Sequence, residues 1–89
     1  MLNNMPQFEK FKELLDREHV WPDTYAFKFI VKKTELEYAR SLFTQEDLSV
    51  RESESGKWVS LTLTKVMDSS EDVMDLYKKA SVIPGLIAL

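Results

Sequence analysis

Two segments that alternate strictly, each followed by a stretch of helical periodicity, predict an α+β domain of the ferredoxin-like βαββαβ type. The first is YAFKFIVK, in which Tyr25, Phe27, Phe29 and Val31 alternate with Ala26, Lys28, Ile30 and Lys32. The second is GKWVSLTLTKVM, in which Val59, Leu61 and Leu63 alternate with Ser60, Thr62 and Thr64. A period of two sends successive side chains to opposite faces of a sheet. Right-handed crossovers then arrange a four-stranded antiparallel sheet in the order 4-1-3-2, with two helices on one face and an extra N-terminal helix. One domain is expected over 1–89, with the N-terminal helix at 6–18 and the βαββαβ unit at 24–89.

The N-terminal helix rests on Phe8, Phe11, Leu14 and Leu15, spaced i, i+3, i+6, i+7, with Glu9, Lys10, Lys12, Glu13 and Asp16 on the other side. Pro6 suits its first turn, and Pro22 forces the preceding residue out of the helical region. Its apolar stripe is expected to pack on the domain's own core. Aromatic and β-branched residues make Tyr25–Lys32 a strand. Thr34-Glu35-Leu36-Glu37 fits a capping box, opening a helix that faces inward through Leu36, Ala39, Leu42 and Phe43. LSVRESES is a weaker strand, with Leu48 and Val50 inward and Ser49 and Arg51 outward; its polar tail suits an exposed edge. Ser55-Gly56 supplies the hairpin turn. Asp68-Ser69-Ser70 starts the last helix, whose inner stripe is Val73, Leu76, Tyr77 and Ala80. Pro84-Gly85 breaks the chain, and LIAL closes it as a short strand.

Composition narrows the function classes. Eighty-nine residues, 44% hydrophobic and 30% charged, are those of a globular domain with room for one core. Cysteine is absent from the sequence, which removes disulfide scaffolds, thiol nucleophiles and thiolate zinc sites. No apolar run reaches the ~20 residues of a membrane span, and no signal-peptide pattern is present. A cytoplasmic location is therefore the expectation, with no membrane association. A net charge of −3 gives no global attraction for phosphate backbones.

The inner face of the sheet is expected to hold Tyr25, Phe27, Phe29, Val31, Leu48, Val50, Val59, Leu61 and Leu63. The outer face would show Lys28, Ile30, Lys32, Arg51, Trp58, Ser60, Thr62 and Thr64, together with Ala26 and Ser49. Hydroxyls on a solvated sheet need no explanation beyond β-propensity. They also suit an interface, because they donate and accept with little desolvation penalty, and Trp58 and Ile30 would anchor it. This set is the candidate interaction face, for a protein partner or a homodimer. Single-strand RNA readers of this topology stack bases on aromatics of the central strands. Here Trp58 alone is available, which argues against nucleic acid.

Chemistry-bearing patterns are sparse. His19, the only histidine, stands in EHVWPD without a second nitrogen or sulfur ligand, and is expected in an exposed loop. The carboxylate pairs Glu35/Glu37 and Glu71/Asp72 lie in first turns of helices, where acids complement the macrodipole. Glu52/Glu54 sits on the polar edge. No nucleophile–histidine–acid set assembles, so no catalytic residue, metal ligand or cofactor site is assigned, and an enzyme is not expected. Lys32, Lys33 and Thr34, before the start of a helix, form a candidate nonspecific anion site; both lysines equally suit the solvated end of a strand.

VWPDTYAFKFIV carries the pattern apolar-Pro-x-x-Tyr-x-x-Lys at Pro22, Tyr25 and Lys28. GKWVSLTLT carries Gly-Lys-aromatic-x-Ser at Gly56, Lys57, Trp58 and Ser60, and the chain closes with Tyr77, Pro84 and a terminal aliphatic strand. Together, from about Phe8 to Leu89, these resemble the YbeD-like family of small bacterial proteins of unknown function. The resemblance implies a fold similar to ACT domains, the amino-acid-sensing modules of metabolic enzymes, and a lipoate-related regulatory role. It transfers no catalytic residue. ACT domains commonly place a glycine after the first strand, where ligand approaches backbone; Lys33-Thr34 stands there instead. The functional expectation is a noncatalytic regulatory or protein-interaction domain, associating through its sheet face or edge. The alternative is an ACT-like small-metabolite sensor, its ligand unidentified, with the binding site at a subunit interface.

Overall fold

Asp23–Lys32 and Trp58–Met67 form strands that pair antiparallel along their whole length, from Asp23 opposite Met67 to Lys32 opposite Trp58. The computed structural model describes residues 4–44 and 48–89, with side chains from residue 9 onward. In chain order the elements are α1 (Asn4–Glu18), β1 (Asp23–Lys32), a 3₁₀ turn (Lys33–Glu35), α2 (Leu36–Leu42), β2 (Leu48–Glu52), β3 (Trp58–Met67), α3 (Ser70–Ala80) and β4 (Ile87–Ala88). The sheet order is β2-β3-β1-β4, all antiparallel, so the expected 4-1-3-2 order and ferredoxin-like α+β class are those of the molecule.

Alternation in sequence becomes alternation in burial. Phe27, Phe29, Val31, Val59, Leu61 and Leu63 are fully buried, while Tyr25, Leu48 and Val50 are half-buried at the margins. Ala39 of α2 and Phe43 at its end, Val73, Leu76 and Ala80 of α3, and Ile83 beyond it close the same core. Met67 continues the inward row of β3. Ser69 caps α3, its Oγ accepting from the Asp72 amide at 3.1 Å. At the β2–β3 turn Gly56 has φ 75°, a left-handed conformation that costs glycine little, and its amide donates to the Ser53 carbonyl at 3.0 Å.

Three local expectations need correction. The capping box at Thr34–Glu37 does not form: α2 begins at Leu36, and Glu35 stands at its N-cap without a side-chain cap bond. The cause is non-local. The Lys33 amide donates to the Lys57 carbonyl at 2.9 Å, which prolongs the β1–β3 ladder by one rung and leaves a 3₁₀ turn to reach the helix. Leu14 is 46% exposed rather than inward. α1 docks through Phe11 and Leu15, only about 40° apart around a helix axis, whereas Leu14 lies about 100° from Leu15. The side chain of Phe8 lies outside the described residues. His19 is the third and is treated with the site below.

α1 is held to α3 by an edge-on contact between the Phe11 and Tyr77 rings, centroids 5.8 Å apart, and by Lys12 Nζ at 3.2 Å from Glu71 Oε2. The face assignment yields a mutational contrast. Leu61→Ala should cost about 2–5 kcal/mol of stability through cavity formation. Thr62→Ala should stay within ~0.5 kcal/mol. Urea unfolding of both variants measures the difference, and equal losses would mean that both faces of β3 are packed.

Candidate functional site

Among the described residues no helix covers the outer face of the sheet. Ala26, Lys28, Lys32, Ser49, Arg51, Trp58 and Thr64 are exposed there, and Ile30, Ser60 and Thr62 are half-buried. Strand register arranges them in rows. Arg51 stands opposite Ser60, Ser60 opposite Ile30, and Ile30 opposite Ile87. The next row holds Ser49, Thr62 and Lys28, and beyond it come Thr64 and Ala26; on the other side, Trp58 stands opposite Lys32. The eight residues expected to form an interaction face therefore share one surface. Its relief is a shallow recess of about 200 Å³, whose walls include Ile30, Arg51, Trp58 and Ser60. Ser60 Oγ donates to the Arg51 carbonyl at 3.4 Å, which ties that wall to the edge strand.

Ile87 joins this face at 47% exposure and extends the apolar surface of Ile30 and of Trp58, itself 36% exposed. Sequence reasoning missed it. β4 is two residues long, too short for alternation to declare which side chain points where.

The candidate anion-site residues have separate roles. Lys32 ends β1 on the outer face beside Trp58. Lys33 gives its amide to the Lys57 carbonyl, and its ammonium is ion-paired with Glu52 of β2. Thr34 is exposed in the 3₁₀ turn. The pairing also ties Glu52 of the Glu52/Glu54 pair to the 3₁₀ turn, as Glu71 of α3 is tied to Lys12 of α1.

His19 does not stand free in a loop. Its ring stacks on Trp21 with centroids 4.8 Å apart and leans on Tyr25 at 5.6 Å. Nδ1 lies 2.8 Å from Asp23 Oδ2, and Trp21 Nε1 donates to Asp16 Oδ1 at 2.9 Å. The His19 bond, helped by the Thr24 amide, holds the Asp23 carboxyl below its ordinary range. The histidine thus pins the bend between α1 and β1. Among the described residues no group of acids and histidine is placed to hold a metal ion.

On the helical side, Phe11, Tyr25, Met74, Tyr77, Ala88 and Leu89 line an apolar cleft of about 340 Å³. The Tyr25 and Tyr77 hydroxyls meet at its wall, 3.0 Å apart. Tyr25 and Tyr77 were legible as inward residues, but their meeting joins positions 52 apart in the chain.

A family model described as Protein of unknown function (DUF493) matches residues 16–88, and the chain belongs to that family. Comparison with curated proteins and with solved structures gave no match.

Burial and the Tyr25 hydrogen bond push the Tyr77 phenol above its ordinary value of 10.0. A raised phenol pKa favours the folded state while the group is neutral. That contribution is complete below about pH 10 and is lost as pH rises from there toward the folded-state value. Tyr77→Phe should lower stability by ~1 kcal/mol at neutral pH, the worth of a hydrogen bond. It should also flatten the alkaline decline, as followed by urea unfolding at pH values from 8 to 11.

Proposed function

We propose that the domain is a noncatalytic regulatory or protein-interaction module of the cytoplasm, which associates through the outer face of its sheet. The observation that carries this is the joining of Ile30, Trp58 and Ile87 into one apolar surface on the side that no helix covers. A hydrophobic centre with a polar surround is the usual anatomy of a protein interface. Ser49, Ser60, Thr62 and Thr64 supply that surround with groups that exchange water for a partner's donors or acceptors at small cost. The exposed edge of β2 offers main-chain groups beside the same surface. The motifs around Tyr25 and Trp58 support a place among YbeD-like proteins, a resemblance that implies a fold similar to ACT domains.

A second reading has its own observation. The cleft between Tyr25, Met74, Tyr77 and Leu89 is apolar with a hydroxyl pair at its wall, a setting that suits a small metabolite. An ACT-like sensor would use it with a second subunit. Ligand at 100 times its Kd adds about 2.7 kcal/mol of stability, so a thermal-shift screen of amino acids, lipoate and nucleotides tests this reading.

The sheet-face reading is tested by affinity capture from a bacterial lysate with wild-type protein and an Ile30→Ser/Trp58→Ser variant. Wild type should retain a stoichiometric partner, or pair with itself, and the variant should lose at least about tenfold in affinity, since central apolar anchors carry most interface energy. Equal retention by both proteins would place the interface elsewhere.

A further inference from the structure

The outer sheet face and the chain as a whole are opposite in charge. The sequence has 15 acidic side chains against 12 basic ones, a formal charge of −3. On the outer face the charged residues of β1, β2 and β3 are Lys28, Lys32 and Arg51, all exposed and all cations. The acids of these strands, Asp23 and Glu52, fall on the alternate positions and are engaged by His19 and Lys33. None of the three cations forms an ion pair with a described residue.

Register places them around the apolar centre. Lys28 and Lys32 lie two residues to either side of Ile30, about 7 Å along β1. Arg51 shares Ile30's row, two strands away at about 10 Å. Trp58 stands beside Lys32, and Ile87 beside Ile30. The recess whose walls include Ile30, Trp58, Ser60 and Arg51 lies among these side chains; Glu52 also reaches its wall, its carboxylate ion-paired with Lys33.

From this arrangement we infer that the outer sheet face takes an acidic protein surface, one apolar side chain seated between Ile30 and Trp58 and carboxylates facing Lys28, Lys32 and Arg51. The inference rests on the sheet-face reading above and names the chemistry of its partner. A second copy docked face to face would set cations against cations, a juxtaposition that interfaces exclude at a cost of several kcal/mol. A nucleic-acid strand would find a single aromatic platform, Trp58, where such readers stack successive bases. Over the rest of the surface it would meet a net negative protein. An acidic protein gains from the cationic ring and from the apolar centre together.

The test is an NMR titration of the ¹⁵N-labelled chain with three probes: an extended peptide alternating Glu and Leu, its Lys/Leu counterpart, and a short oligo-dT. The Glu/Leu peptide should shift the amides of Ile30, Ser60, Thr62 and Ile87. Its affinity should fall about tenfold or more as salt rises from ~0.05 to ~0.5 M, because exposed charge pairs are screened. K28E/K32E/R51E should abolish the shifts, and if that variant does not fold, Lys28→Gln and Arg51→Gln singly should each weaken them. Equal shifts with the Lys/Leu peptide, tighter binding of oligo-dT, or no shift on this face would each overturn the acidic partner. Sedimentation separates the two levels of the proposal. A wild-type dimer broken by Ile30→Asp would overturn the acidic partner yet leave sheet-face association standing. Absence of any contact on this face, in titration and sedimentation alike, would remove both.

Discussion

The full-length pairing of β1 with β3 governs the remainder of the molecule. Ten residues of each strand are locked in a single register, and because side chains alternate, that register settles ten inward or outward assignments at once. A slip of β1 by one residue would expose Phe27, Phe29 and Val31 and bury Lys28 and Lys32. Loss of several buried large side chains, each worth about 1.5–3 kcal/mol, makes such a slip unaffordable for a domain of this size. The same rigidity reaches beyond the strands. One extra rung at Lys33 sets where α2 can begin, and the Gly56 turn sets where β2 meets its neighbour.

The aromatic residues show how the core and the helical layer are joined. Phe27 stacks on Phe29 along β1, Phe29 stacks on Phe43 at the end of α2, and Tyr77 of α3 meets Tyr25, Phe27 and Phe29 edge-on. Tyr77 is therefore both packing and polar handle: its ring fills the space over β1, and its hydroxyl is satisfied by Tyr25. Phe11 adds α1 to the same cluster, which explains how a helix outside the βαββαβ unit is retained by a narrow stripe. His19 and Trp21 then finish the bend, so one continuous aromatic run extends from the end of α1 to the heart of the sheet.

This concentration of packing on one side leaves the other side free for function. With the described helices on the inner layer, the outer face keeps its strand hydroxyls, the apolar side chains of Ile30, Trp58 and Ile87 among others, and three strand cations in positions that the β-ladder makes rigid. Little conformational freedom remains in that backbone for binding to remove, which favours a stable partner contact. Membership of the DUF493 family over residues 16–88 covers the sheet with α2 and α3, so the face belongs to the matched region.

The alternation of Leu61 with Thr62, and of Phe27 with Lys28, was legible because a two-residue period is written locally and needs no partner to interpret. The inner stripes of α2 and α3, the Ser69 cap and the strand order followed from similarly local signals and one handedness rule. Features depending on distant contacts were not legible. The false capping box at Thr34 looks locally sound and is overridden by a bond to Lys57. Leu14 fits the helical stripe, but α1 docks on α3 through Phe11 and Leu15 and buries a narrower arc. His19 gave no sign of its place between Trp21 and Asp23, and Ile87 none of its side, since two residues carry no period. The residue pattern thus determined which side chains leave water, while the folded chain decided which of the remainder stand together; burial is encoded at short range, and adjacency on a surface is a property of register between strands far apart in the chain.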